Sequence, residues 1–555
     1  MTDNSKAINY FDEVFEVHSD KNIPINLKYT QLRTLLEKIT KDLTQNDVLQ
    51  FSNLFSRLSF VCDKYNTTKK IHGFRVTANN VLHDNLKPTE EQYFTHLKYY
   101  CEFISSAYKI AVPQDLKNLY PKIEYQAIKT VSKNTRLAKL RVEILEVRAD
   151  SLLCNSDTNQ NEDYITVKIG EAEVNDKFAS VPNFWKGAQL FLVNIEIDEN
   201  EVYHPKFIIL EPDYLVDISS IAECWQDYGA TELNYIKSKF EELPSTKHIR
   251  LGNFANLVID ELFSEEKHSQ VIFKNTIKKD FQSYPFEYTT CEDLNAEDKF
   301  KGYLRDAEMH YTNIKRVVEN DFPKLDISIE SASLEPAFLC ELFGIQGRLD
   351  ILELNKNKKS KIVELKSGGV PFPDDGVSIK PNHKSQLYLY YQLIGVLNQL
   401  GFAEVAEKTD GYILYSKIPA TNLRYDKPNL KRVQEILNLR NNIILNEFYL
   451  ASDIISKTKE IIESITPNAI INSPNVHQNF RALLEPKVAE FLKPINQAEE
   501  IEKCYFYSFV SFISKEQYLA KLGNGQYETN NGLANLWLNS FNEKTGVLHK
   551  VCQSI

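Results

Sequence analysis

Asp350, Glu364 and Lys366 are the residues whose types and spacing best suit chemistry in this chain. They lie within GIQGRLDILELNKNKKSKIVELKSG, residues 344–368. The run reads as two short apolar strands joined by a basic turn. The first strand carries Asp350, and the second carries Glu364 and Lys366 with Leu365 between them. Side chains alternate faces along a strand, so Glu364 and Lys366 point one way while Val363 and Leu365 point the other. If the strands pair, Asp350 joins the other two at one rim. Two carboxylates and an ammonium there suit a hard divalent cation and a phosphate. Solvated charges on a surface hairpin are the alternative, because a D…ExK spacing often arises by chance. The apolar strands are poorly explained as a surface charge run. Gly347 and Gly368 flank them where close backbone approach to a ligand is useful.

The surrounding pattern supplies the elements that must position these groups. Residues 1–131 read as a helical domain, with apolar residues at three- and four-residue spacing over 32–43, 47–65 and 90–111. Over 132–213 the pattern changes to alternation, with strands expected at 140–147, 164–169, 190–197 and 207–210. Several short strands in so few residues suit a small OB-like β-barrel. Arg136, Lys139, Arg141 and Arg148 give its first strand a basic flank. That flank reads either as a solvated face or as a groove for a single strand, with Tyr164, Tyr203 or Phe207 offering stacking surfaces. From 214 to 500 helices and strands alternate, an α/β unit. It includes an amphipathic helix at 251–263, helices at 298–320, 383–400 and 429–450, and a strand at 412–415. Gln386 and Tyr390 share one face of the 383–400 helix at i, i+4, and Arg432 and Arg440 lie on the last one. The tail, 501–555, reads as helical. Its LANLWL run at 532–540 offers either intramolecular packing or a docking point for a partner.

Composition narrows the classes. The 555 residues carry a net charge of −11, which argues against a wholly basic nucleic-acid coat but leaves room for a local basic channel. Eight cysteines stand singly with no CxxC, so reduced thiols and a cytoplasmic location are expected. No apolar run reaches the length of a membrane span, and no GxxxxGK[ST] phosphate loop is present.

Three motifs in order make the pattern specific. Gly347-Arg348-Leu349-Asp350, Glu364-Leu365-Lys366 and Gln386-Leu387-Tyr388-Leu389-Tyr390 resemble the GxxD, ExK and QxxxY signatures of the RecB-like branch of the PD-(D/E)XK nuclease superfamily. His383 fits the HxxQ variant of the last motif. The flanking segments LEPDYLVDISSIAEC (210–224), IESASLEP, GYILYSK and LRNNII resemble the nuclease half of the nuclease–helicase family that trims Okazaki-fragment flaps. The similarity spans about 140–450. It implies a PD-(D/E)XK α/β core after an OB-like barrel, and a metal-dependent deoxyribonuclease acting on single-stranded or flap DNA in repair, replication or defence. Two departures stand out. The family's GxxxH helix is matched by Gly252-Asn253-Phe254-Ala255-Asn256, with Asn256 where a metal-binding His is expected. His310 is a possible substitute, with a surface His on a helix as the plainer reading. Family members with an iron–sulfur cluster use one Cys before the core and three after it. Cys224 stands at the first position, but no Cys lies between Cys340 and Cys504, so no cluster is expected.

The resemblance assigns roles to residues. Asp350 and Glu364, with the Leu365 carbonyl, would hold Mg²⁺ or Mn²⁺. Glu330, where the family has a Glu, would be a second metal contact or a DNA-end contact, and Asn256 a further metal contact. Lys366 would orient the attacking water and stabilise charge on the phosphate. Gln386 and Tyr390 would contact the phosphodiester or brace Lys366. Lys356, Lys358, Lys359 and Lys361, with His383, form the expected DNA-binding set. A separately supplied helicase is a candidate partner. The competing expectation is a catalytically weak module that grips single strands without cutting, which Asn256 favours.

Overall fold

A computed structural model describes residues 3–522, apart from 46, 48–50, 52, 84–85, 127–134, 161–162, 243–244, 265–269 and 356. Lys356, Cys552 and the 532–540 run therefore lie outside the described residues. The chain is a multi-domain mixture of helix and sheet. None of its described helices is long and apolar enough to cross a membrane.

The N-terminal part is helical: α1 (Asp3–Ser19), α2 (Ile25–Thr44), α3 (Leu54–Tyr65), α4 (Ile71–His83), α5 (Glu90–Tyr108) and the short α6 (Gln114–Lys117). Their apolar faces close on a core of their own around Phe11, Tyr29, Leu36, Phe74 and Tyr100. A capping box formed by Thr89 and Gln92 starts α5, satisfying two backbone donors that would otherwise be orphaned.

Five strands then close a barrel in the order β1-β2-β3-β5-β4. They are β1 (Arg136–Val147), β2 (Ser151–Ser156), β3 (Ile165–Lys168), β4 (Gln189–Ile197) and β5 (Val202–Leu210). Val142, Ile144, Leu190, Leu192 and Ile208 fill its interior. The alternation of SLLCNS is weak, and β2 was not anticipated. It forms because the chain turns back after Val147 and pairs with β1. Tyr203 and Phe207 are buried in the core that the barrel shares with the following region, Phe207 against Phe343 and Phe402, so neither is a stacking surface, whereas Tyr164 is 41% exposed. The basic flank is largely neutralised. Arg136 pairs with Glu196 and Arg148 with Glu146. Arg141 is buried against Asp213 and Gln189.

The third region begins with β6 (Val216–Asp217), α7 (Ile218–Glu223), β7 (Trp225–Gln226), β8 (Gly229–Ala230), α8 (Leu233–Ser238), α9 (Lys247–Ser264), α10 (Phe273–Ser283), α11 (Pro285–Thr289) and α12 (Glu297–Arg316). The strands β9 (Ser333–Leu334), β10 (Ala337–Cys340), β11 (Ile345–Arg348), β12 (Ile351–Glu353) and β13 (Ser360–Lys366) follow. Then come α13 (Pro381–Leu397), α14 (Phe402–Lys408), β14 (Thr409–Tyr415), β15 (Leu423–Asp426) and α15 (Leu430–Leu450). The last described elements are α16 (Ile455–Glu463), α17 (Pro467–Ile470), α18 (Gln478–Gln497) and α19 (Glu500–Leu522).

The main sheet has the order β15-β14-β13-β12-β9, and a smaller one the order β10-β11-β6. Strands β13 and β14 run parallel, with α13 and α14 forming the crossover that parallel neighbours require. The two faces of β13 meet different partners. Val363 and Leu365 pack with Phe254, Val258 and Tyr303 of α9 and α12. Ile362 packs with Leu387, Tyr390 and the core that continues into the barrel. Both faces are covered, as a central parallel strand demands. Tyr518 and Leu522 of α19 also enter that shared core.

Candidate metal and phosphate site

The expected first strand is two strands. β11 pairs with β10, β12 pairs with β13, and the chain changes sheets at Leu349–Asp350. Asp350 therefore sits on a bend. Its Oδ2 accepts the Leu365 N–H at 2.6 Å, just past the last β12–β13 pair, Ile351 with Val363. In an extended strand the N–H and C=O of one residue point to the same edge. The Leu365 carbonyl is thus directed to the edge where Asp350 stands.

On the opposite face of the pleat, Glu364, Lys366, Gln386 and Tyr390 form one network. Lys366 Nζ donates to Glu364 Oε1 at 3.0 Å and to Gln386 Oε1 at 2.7 Å. Gln386 Nε2 donates to the same Glu364 oxygen at 2.6 Å and lies 3.3 Å from the Tyr390 hydroxyl. That hydroxyl donates to the Arg348 carbonyl at 2.6 Å. The one-turn spacing of Gln386 and Tyr390 thus spans from the ExK strand to the backbone just before Asp350. Gly347 is closely packed here: a Cβ would come within 3.2 Å of Ile218 and 3.4 Å of the Tyr390 ring. Gly368 is different: a Cβ there would meet nothing within 4 Å.

Two features fit a cation. Glu364 Oε1 accepts two donors, while Oε2 is buried with no hydrogen-bond partner. A buried carboxylate oxygen without a donor is costly unless something cationic meets it. Burial, followed by the nearby Glu364 charge, pushes the Asp350 carboxyl up to about 8. The pair resists carrying two negative charges without a counter-ion. Asp350, Glu364 Oε2 and the Leu365 carbonyl are hard oxygen donors of the kind Mg²⁺ and Mn²⁺ prefer. Among the described residues, no group of three or more His, Cys, Asp or Glu is arranged to hold a metal.

The acid beside Asp350 is Glu335 rather than Glu330. Glu330 is exposed in a turn. Five residues later the backbone N–H of Glu335 donates to the Asp350 carbonyl at 2.9 Å, and its carboxylate meets Arg348 at 3.2 Å. The antiparallel pairing of β9 with β12 brings it there. Asn256 is half-buried on α9, one turn after Gly252, whose Cβ position lies 3.3 Å from Ser367 Oγ. Asp260, one further turn along, was not singled out from sequence. Burial and the Glu335 charge raise its carboxyl, which puts it at the same acidic edge. Its signal was the i, i+4 step from Asn256 along amphipathic α9.

Other expected residues have structural partners. Lys361 is 9% exposed; it and Lys359 bond Asp410, each at 2.9 Å. Lys358 pairs with Asp326 at 2.7 Å. These ammoniums thus have carboxylate partners, Asp410 of β14 for Lys359 and Lys361 and Asp326 for Lys358, while the Lys358 and Lys359 side chains stay 63% and 47% exposed. His383 does not stand out as a free DNA contact either. It is half-buried, with Nδ1 3.0 Å from the Tyr415 hydroxyl, and burial with the Lys366 charge lowers it to about 3. His310 is not a surface residue. It is 1% exposed, bonded to Ser416 Oγ at 2.8 Å, and Ser416 in turn bonds the Lys366 carbonyl through N–H at 3.0 Å. Cys224 is fully buried and donates to the Ser220 carbonyl at 3.5 Å. No protein-family model matches the chain, and no curated protein matches it significantly in sequence.

The raised Asp350 carboxyl has a consequence for stability. An unfolded Asp loses its proton near about pH 3.9, whereas the folded one holds it to about 8. The folded state therefore binds more protons between those values, and metal-free stability from this group falls as pH rises through that window. We expect Asp350→Asn to melt at a higher temperature than wild type at pH 8 in chelator, with the gap narrowing toward pH 4. Parallel melting curves across that range would remove this assignment.

Proposed function

We propose that this chain is a divalent-metal-dependent nuclease with a PD-(D/E)XK-type core and an OB-like barrel, hydrolysing phosphodiester bonds of single-stranded or flap DNA. The observation that carries the reading is the Glu364–Lys366–Gln386–Tyr390 network beside Asp350, with Glu364 Oε2 left unpartnered. The closed five-stranded barrel, with β3 and β5 parallel and β1 closing on β4, supports the OB-like reading and with it a single-stranded substrate.

In this mechanism Asp350, Glu364 and the Leu365 carbonyl hold the cation. When bound, Mg²⁺ or Mn²⁺ supplies an activated water and polarises the scissile phosphate. Lys366, fixed by Glu364 and Gln386, presents its ammonium to charge growing on the phosphate oxygens. Gln386 and Tyr390 hold Lys366 and Glu364 in register. Glu335 and Asp260 add negative field at the same edge.

A second reading, a module that binds single strands without cutting, draws on Asn256 and on the small donor set among the described residues. Mn²⁺ calorimetry separates the two. The nuclease reading predicts saturable binding that displaces the Asp350 proton: binding tightens from pH 6 to 7.5, while the proton release per metal is near one at pH 6 and declines as pH rises toward 8. Glu364→Gln should weaken that binding by about 10- to 100-fold. No Mn²⁺ binding by the wild type would leave the binding module as the better reading.

A further inference from the structure

A cavity apart from this site has a different lining. It holds about 500 Å³ where α3, the barrel and helices α15 and α19 meet. Five aromatic side chains line it, Phe51, Phe60, Trp185, Phe448 and Tyr518, beside charged and polar ones. Trp185 and Phe448 stack with centroids 3.7 Å apart and planes 4° from parallel, giving one wall a fixed flat platform.

The polar part of the lining is incompletely satisfied. Glu143 and Gln189 both line the cavity and each is only 2% exposed. Gln189 Oε1 accepts from Arg141 Nε at 2.9 Å and from Asn53 Nδ2 at 3.3 Å. Those two donors fix the amide orientation and leave Nε2 as a buried donor without a partner. Glu143 Oε2 is likewise buried and unpartnered. Burial pushes the Glu143 carboxyl up to about 8, so it is largely protonated at neutral pH and can donate as well as accept. Unsatisfied buried groups of both kinds in one cavity call for a ligand or ordered water that completes them.

Three lysines, Lys64, Lys186 and Lys515, also line the cavity. Each is held by one aspartate: Lys64 by Asp47 at 2.6 Å, Lys186 by Asp63 at 3.3 Å and Lys515 by Asp453 at 2.5 Å. Their side chains are at least partly exposed, 66% for Lys186, so an anion can compete for them.

We propose that this cavity binds a nucleotide, its base among the aromatic side chains and its hydrogen-bonding edge on Glu143 and Gln189, with the phosphate on the lysines. A nucleobase satisfies all three features. Its flat face stacks on aromatic rings. Its edge offers adjacent donors and acceptors to a protonated carboxyl and an amide N–H. The phosphate supplies the anion. The site is independent of the metal site and of the nuclease reading.

The shared chemistry can come from a free nucleotide or from the end of a DNA strand. The test titrates the full chain, in chelator, with each of the four deoxynucleoside 5′-monophosphates and separately with a 5′-phosphorylated deoxythymidine hexamer. Saturable binding of either ligand, weakened at least tenfold by both Glu143→Gln and the solvent-facing Lys186→Glu, supports the proposal. Monophosphate binding identifies a free nucleotide, and hexamer binding alone identifies a strand end. Circular dichroism spectra of both variants matching wild type show that the loss is local. Absence of binding by both ligands overturns the proposal. So does binding that neither variant changes, or uptake of an apolar dye such as 1-aminoanthracene with no nucleotide bound.

Discussion

Lys366→Ala is expected to cut single-stranded DNA roughly 10²- to 10³-fold more slowly than wild type while still binding Mn²⁺. The ammonium is 3.0 Å from Glu364 Oε1 and 2.7 Å from Gln386 Oε1, so it is placed by two acceptors before any substrate arrives. The unpartnered Glu364 Oε2, Asp350 and the Leu365 carbonyl remain in the variant, which is why metal affinity should be kept. Removing a neighbouring positive charge can only favour the cation. Gln386→Ala should cost less, about tenfold, because Glu364 still holds Lys366 after the amide is gone. Single-turnover cleavage at saturating Mn²⁺, read beside calorimetry on the same samples, separates the two effects. A Lys366→Ala protein that cuts as fast as wild type would place the chemistry elsewhere.

Arg440→Ala should destabilise the fold by about 3–5 kcal/mol, the cost of breaking a buried charged network from one side. Arg440 is fully buried on α15. Its guanidinium donates to the carbonyls of Gly344 at 3.1 Å, Glu211 at 2.9 Å and Tyr214 at 2.7 Å, and to that of Leu210. It thereby joins the end of β5, the segment leading into β6 and the turn between β10 and β11. Gly344 adopts φ +62°, and a Cβ there would collide with the guanidinium. Alanine would remove the guanidinium from all four carbonyls in a dry interior, where those of Gly344 and Glu211 keep only the Val216 and Tyr214 N–H groups. Arg440→Lys should recover little, because one ammonium cannot reach four carbonyls fanned around a planar fork. Urea denaturation monitored by circular dichroism gives the number. A midpoint within error of wild type would show that the network adds nothing.

The sequence made the alternation of the ExK strand legible, and with it the side on which Glu364, Lys366, Gln386 and Tyr390 meet. Local periodicity suffices for that. It did not show that the chain changes sheets at Asp350, because a run of apolar residues looks alike whether one strand or two carries it. The acid beside Asp350 was displaced from Glu330 to Glu335 for a similar reason: only the β9–β12 pairing decides which residue of IESASLEP arrives there. Lys359 and Lys361 looked like a basic edge until β14 brought Asp410 next to them. Arg440, noted only as a charge on a helix, proved to be a buried tie between segments more than ninety residues away. Such long-range partners leave no periodic trace in the chain. The buried Glu143 and Gln189 were invisible for the same reason, since each reads as an ordinary polar residue on a strand.

The most direct test of the central claim is cleavage of end-labelled single-stranded DNA by wild type and Asp350→Ala, with Mg²⁺ or Mn²⁺ and with chelator. The account predicts cutting by wild type that requires the metal, and loss of about 10³-fold or more in Asp350→Ala. No cutting by wild type with either metal, or equal cutting by Asp350→Ala, would contradict it.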